Sequence, residues 1–236
     1  MTTFLQLVVV GISTGSVFGI VGIALVLVYR TTGIVNFAQG VFVVLGGVFT
    51  FEFAQHIPML PAIVVAVLVS AVLATVTAVV AVGIRGRTTH LASLVITVGI
   101  ALTAEAVLLA TFGEVPRSYA GISEHAWDIG GVLVQPQYVL IAAVALIAAV
   151  CLTLFLRRTI VGQALVASAD SPRAAELVGL NVRSIAVIAF AVAGALCALG
   201  GALLAPTVPV VYNADLVLTI NGFAAAVFGV FASIRL

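Results

Sequence analysis

The sequence predicts an all-α, polytopic membrane helix bundle of about seven transmembrane helices with its N-terminus outside. Three observations carry that expectation. Charged residues are 7% and hydrophobic residues 64% of the 236 positions, with a mean hydropathy of +1.37, whereas soluble domains carry about 25% charge. The apolar residues fall into runs near the length of about 20 that a helix needs to cross a bilayer. The arginines are shared unevenly among the links between those runs.

The first run, Phe4–Tyr29, has no basic leader and is too long for the apolar region of a signal peptide, so it reads as a span. The second, Gly33–Phe53, poses a problem. Val41 to Ala54 alone supplies only about 14 residues, too few to cross. The span must therefore take in much of "GIVNFAQG", which places Asn36 and Gln39 in its cytoplasmic half. Three residues apart, they share one helix face. Unsatisfied polar groups cost several kcal/mol in hydrocarbon, so this face points at another helix as hydrogen-bonding glue or at a polar pathway. Both readings stay open from the residues alone. The remaining spans are Pro61–Gly83, Leu91–Phe112, Tyr138–Leu156, Ser184–Leu204 and Leu216–Ile234.

Orientation follows from the links. Arg30, Arg85, Arg87, Arg157, Arg158, Arg173 and Arg183 fall on alternate links. The other set holds only Arg117, beside Glu114, Glu124 and Asp128. The Arg-rich links are then cytoplasmic by the positive-inside rule. Residues 1–236 form one membrane domain.

Several classes are excluded. No lysine is present, and a P-loop needs one to reach nucleotide phosphates. A net charge of +1 gives no reason to expect nucleic acid. Cys151 and Cys197 lie in apolar runs as small hydrophobes, too far apart for a disulfide framework or a metal-ligand spacing. His56, His90 and His125 stand alone. No nucleophile–base set is present, so no catalytic residue, metal site or cofactor is expected.

Within the spans, Gly11, Gly15 and Gly19 form overlapping small-xxx-small repeats on one face, suited to helix packing. Similar small residues recur between Ala191 and Leu204. Glu105 is the acid well inside a span. It is a functional candidate by default, or a snorkelling side chain near the outer interface.

The longest charged link runs from about 157 to 184 and contains its own helix signals. Ser171 suits an N-cap, Pro172 the first helical position and Gly179 the stop. Between them "PRAAELV" offers Ala174, Ala175, Leu177 and Val178 for contact. Such a helix either docks into another protein or lies at the headgroup boundary.

Two of these stretches resemble one family, the permease subunits of bacterial branched-chain amino acid ABC transporters. "TTGIVNFAQG" is similar to the family's Asn-Phe-Ala-His-Gly signature after the first long helix. "GQALVASADSPRAAELVGLNVRSI" resembles its cytoplasmic loop, through Gly162, Ala169, Asp170, Arg173, Ala174, Ala175, Gly179 and Asn181. "NGFAAAVFG", Asn221 to Gly229, resembles the opening of its late helices. The resemblance implies a bacterial cytoplasmic (inner) membrane protein and a multi-subunit importer. Its partners would be cytoplasmic ABC ATPase subunits, a second permease subunit and an extracytoplasmic substrate-binding protein. Residues 162–181 would be the coupling loop, and Asn36, Phe37, Gln39, Gly40 and Glu105 would belong to the substrate pathway.

There are departures. Gln39 stands where the family often has His, keeping hydrogen bonding but not titration. The link "GIRGRTTHL" is short. The family's Gly-Gly-x-Gly-Ser-like turn is replaced by "GVFASIRL", which suggests a C-terminal truncation. The competing expectations are a permease of the same superfamily for urea, short amides or sugars, a secondary carrier or channel using Glu105, and a non-transporting membrane fragment.

Overall fold

The computed structural model describes residues 2–82, 90–121, 126–129 and 132–233. Arg85, Arg87, Glu124, His125 and Arg235 lie outside them. The first helix, α1 (Thr2–Thr32), has 31 residues, or about 46 Å at 1.5 Å per residue. Gly33, at φ 69°, ends it in the left-handed conformation that favours glycine. The following helices are α2 (Gln39–Ala54), α3 (Met59–Val82) and α4 (His90–Phe112). Gly113, at φ 75°, stops α4 in the same way.

On the predicted outer side a short antiparallel hairpin follows, β1 (Trp127–Ile129) paired with β2 (Val132–Val134). Pro136 then opens α5 (Pro136–Arg158), and Arg157 and Arg158 occupy its last turn, where cations complement the helix dipole. Two short helices come next, α6 (Ile160–Asp170) and α7 (Pro172–Leu177), before α8 (Val182–Leu204) and α9 (Asp215–Ser233). Among the described residues, five helices, α1, α3, α4, α5 and α8, are long and apolar enough to cross a membrane. The shorter α2 and α9, of 16 and 19 residues, occupy the positions of the second and seventh predicted spans.

Packing centres on α8, which lies against α1, α2 and α3. In a bilayer the lipid is as apolar as leucine, so helices associate through close packing of small residues. A Cβ on Gly46 would sit 2.0 Å from the Ala198 carbonyl oxygen, and one on Gly201 would sit 1.8 Å from that of Val43. Only hydrogen fits at these crossings. Gly194 meets Ala74 of α3. Between α1 and α9, Gly22 and Gly222 play the same part.

Two expectations need correction. The second span does not begin as a helix at Gly33. Residues 34–36 are non-helical and α2 starts at Gln39. Gly33 stops α1, and the Asn36 side chain accepts the Ala38 N–H at 3.1 Å, a local bond that competes with helix. The stripe Gly11, Gly15 and Gly19 meets nothing within 4 Å of a built Cβ. Among the described residues, close glycine packing on α1 begins at Gly22, further down the helix.

Candidate functional site

The break before α2 lies deep in the bundle. Gln39 points its amide at the Ala193 carbonyl (3.5 Å) and the Cys197 sulfur (3.0 Å) of α8. Since α8 runs from 182 to 204, Gln39 stands level with its middle. That is deeper than the cytoplasmic half expected from the sequence.

Six residues, 33 to 38, carry the chain from the end of α1 back to this depth. Irregular backbone is tolerated at membrane depth only where protein satisfies it, and here α4 and α9 do so, Thr219 also donating to the Phe37 carbonyl at 3.4 Å. Thr97 of α4 accepts the Phe37 N–H at 3.3 Å. Thr219 of α9 accepts the Gly40 N–H at 2.9 Å. The Asn36 amide donates to Gln39 Oε1 at 2.9 Å.

The structure thus brings Asn36, Phe37, Gln39 and Gly40 together. Asn36 and Gln39 are 1% and 0% exposed, and their hydrogen bonds are made inside the chain. Their immediate work is to hold the break open. Phe37 is half-buried, and Gly40 lies so close to α9 that a Cβ would fall 1.9 Å from the Asp215 carbonyl oxygen. Half-buried Glu105 of α4 lies within electrostatic reach of Asp215. Asp215 is 7% exposed, and its carboxylate accepts backbone N–H groups at the start of α9. The start of α2 on the α4–α9 side therefore brings together Phe37, the backbone of Asp215 and two threonine hydroxyls.

Thr97, Thr219 and Asp215 were missed by sequence reasoning. Threonines in membrane helices commonly bond their own backbone, as Thr219 also does to Asp215 at 2.8 Å, so they carry no distinguishing signal. Asp215 had one: it is an acid at the edge of a predicted span.

The second candidate is the α6–α7 arm. Thr159 caps α6 by accepting the Gly162 N–H at 2.9 Å. Gly162 packs so tightly on α5 that a Cβ would lie 2.1 Å from the Phe155 carbonyl oxygen. Ser171 caps α7 through the Ala174 N–H at 3.3 Å, and Gly179 turns the chain at φ 86°. Asn181 caps α8 through the Ser184 N–H at 3.2 Å.

The coupling-loop residues therefore divide. Gly162, Ala175, Gly179 and Asn181 shape the arm, with Ala175 3% exposed. Ala169 is half-buried, and Asp170, Arg173 and Ala174 face outward. Beside them Leu177 (88%) and Val178 (77%) expose apolar surface, as does Ile160 (87%) at the start of α6. Ile160 was not singled out from the sequence.

At the opposite end, on the predicted outer side, Arg117 is held by its neighbours. It pairs with Glu52 at 2.7 Å and donates to the Phe112 carbonyl at 2.7 Å. Its guanidinium sits 5.1 Å from the Phe51 ring centre, and its backbone bridges Val210. The same linker sends the Tyr119 hydroxyl to the Ala202 carbonyl. Burial pushes that phenol up, so it stays a neutral donor.

Comparison with known proteins gives a consistent result. Residues 7–235 match the family model described as branched-chain amino acid transport system, permease component. The chain is 24% identical to the high-affinity branched-chain amino acid transport system permease protein BraD of Pseudomonas aeruginosa, covering 98% of this chain and 80% of that protein. It is 24% identical to LivH of Escherichia coli K12 and 23% identical to LivH of Salmonella typhimurium, with the same coverage. No solved structure matches.

Proposed function

The chain belongs to the family of permease components of branched-chain amino acid transport systems, and from that membership we propose its working parts. It is the membrane-spanning subunit of an ABC importer in the bacterial cytoplasmic membrane, and its cargo is leucine, isoleucine or valine. ATP is hydrolysed by separate ATPase subunits, a second permease completes the pathway, and an extracytoplasmic binding protein delivers the substrate. The observation that carries this reading is a family match spanning nearly the whole chain, joined to a capped arm with an exposed apolar face.

The arm is the coupling element. Ala174, Arg173 and Asp170, with Leu177 and Val178 beside them, seat on the ATPase, while Gly162, Ala175, Gly179 and Asn181 hold the arm's shape. Motion of the ATPases then reaches α5 and α8, between which the arm is strung.

The substrate path runs along the α4–α9 side of α2. A zwitterion with an apolar side chain needs polar groups for its ends and apolar wall for its middle. Glu105 and the threonine-bonded break supply the first, and Phe37 the second. Asn36, Gln39 and Gly40 hold the break so that these groups stay in place.

The test is substrate competition. Cells lacking branched-chain amino acid uptake, given this chain with its partner subunits, are expected to take up labelled leucine. Excess isoleucine or valine should suppress that uptake, whereas urea, acetamide or ribose should not. Competition by urea or a sugar, with none by valine, would assign the chain to another substrate of the superfamily.

A further inference from the structure

Residues 205–214, which join α8 to α9, are non-helical, and their contacts with α2 show where they run. Val210 is 5% exposed and lies against α2 at Gly47, where a built Cβ would sit 2.8 Å from its Cγ2. Five residues later the Asp215 carbonyl lies against Gly40. From Gly47 back to Gly40 is seven residues of helix, about 10 Å. The segment therefore enters from the predicted outer side and descends along α2 to the depth of the break. Such backbone is tolerated at membrane depth only inside protein or beside a water-filled cavity.

Arg117 ties the upper part of this segment down. Its N–H donates to the Val210 carbonyl at 2.9 Å, and its carbonyl accepts the Val210 N–H at 2.8 Å. Its guanidinium meanwhile holds Glu52 of α2 and the Phe112 carbonyl at the end of α4. One residue thus fastens α2, α4 and the 205–214 segment together above the break. Resting on the path assigned above to the α4–α9 side of α2, we propose that residues 205–214 and Arg117 form its outer gate. They close the path from outside in this structure, and the segment swings away from α2 to admit cargo.

The forces holding each contact single out this segment as the part that moves. At Gly46 and Gly201, α2 and α8 meet so closely that only hydrogen fits, and they cannot part without losing that packing. The gate is held instead by two backbone hydrogen bonds and one ion pair near the water edge, with Val208 45% exposed beside them. Water satisfies these groups when they separate, so their net contribution is small. Moving elements are drawn from such weakly held regions.

The test is access to the break from outside, in cells expressing the chain with its partner subunits. In a Cys151→Ser, Cys197→Ser background, Phe37→Cys puts a thiol at the break. Its reaction with an impermeant reagent is read by mass spectrometry of the labelled peptide. Glu52→Gln keeps a hydrogen-bonding group but removes the charge, and should raise the labelling rate about tenfold, the scale of one charge-assisted bond. Arg117→Cys with Val210→Cys supplies a lock. Partners that exchange both N–H···O bonds stand about 5.5 Å apart at Cα, within reach of a disulfide. Oxidised, this pair should abolish labelling at position 37. Reduced, it should label at least as fast as Glu52→Gln. With Phe37 restored, the oxidised lock should stop leucine uptake and reduction should restore it. Equal labelling in the oxidised and reduced states would overturn the proposal and leave Arg117 as a structural staple. So would unchanged labelling in Glu52→Gln. Labelling that follows the lock while no state carries leucine would support the gate and remove the reading of the cargo instead.

Discussion

Gln39 joins three parts of the molecule through one amide, and its burial sets the cost of losing it. Its Oε1 accepts from Asn36, while its Nε2 reaches Ala193 and Cys197. Gln39→Ala leaves the Asn36 donor unpaired at 1% exposure. An unsatisfied buried group costs about 1–3 kcal/mol, so the variant should lower the thermal midpoint of the detergent-solubilised protein. An unchanged midpoint would show that water or a neighbour replaces the amide. Glycines can be ranked in the same way. Gly46→Ala places a methyl against the Ala198 backbone and should abolish the monodisperse peak in size-exclusion chromatography. Gly15→Ala meets nothing within 4 Å and should be neutral or stabilising, since alanine is about 1 kcal/mol better than glycine in a helix. Equal behaviour of the two variants would contradict the assignment of close packing to α2–α8.

At the scale of elements, α7 and the break before α2 show what a sequence can and cannot disclose. The signals for α7 are local: Ser171, Pro172 and Gly179 lie within nine residues, and the helix forms between them as Pro172–Leu177. The break depends on partners 60 and 179 residues away, Thr97 and Thr219. No local pattern announces them, so the length needed to cross a bilayer carried the second span back to Gly33. The polar pair itself was legible, as were the approximate ends of the apolar helices apart from the start of α2. The glycine stripe at Gly11, Gly15 and Gly19 was legible as a motif. That it meets no partner among the described residues was not, because spacing cannot say which helix comes close.

The arm also yields an element-scale prediction. Leu177→Asp puts a charge on a side chain that is 88% exposed, so folding and membrane insertion should be unaffected. Burying that charge at an ATPase interface is costly, so capture of the ATPase subunits should fall at least tenfold. Retained capture would leave α7 as an ordinary surface helix. Ser171→Ala should act more mildly, since loss of a cap costs about 1 kcal/mol.

For the whole molecule, the arginine distribution predicts the orientation on which the function depends. Val115 is 70% exposed on the linker after α4, and Arg158 ends α5. In a Cys151→Ser, Cys197→Ser background, Val115→Cys should react with an impermeant thiol reagent in intact cells and Arg158→Cys only after lysis. The reverse pattern would invert the bundle and remove α6–α7 from any cytoplasmic partner.

A chain that moves a branched-chain amino acid with energy delivered through the arm must depend on both ATP and that arm. Leucine uptake into proteoliposomes holding the chain, its second permease and its ATPases, with the binding protein on the substrate side, tests it most directly. Uptake is expected to require ATP and to be lost in Leu177→Asp, while the wild-type and variant chains are inserted to the same level. Uptake that proceeds equally without ATP, or that is unaffected by Leu177→Asp, would contradict it.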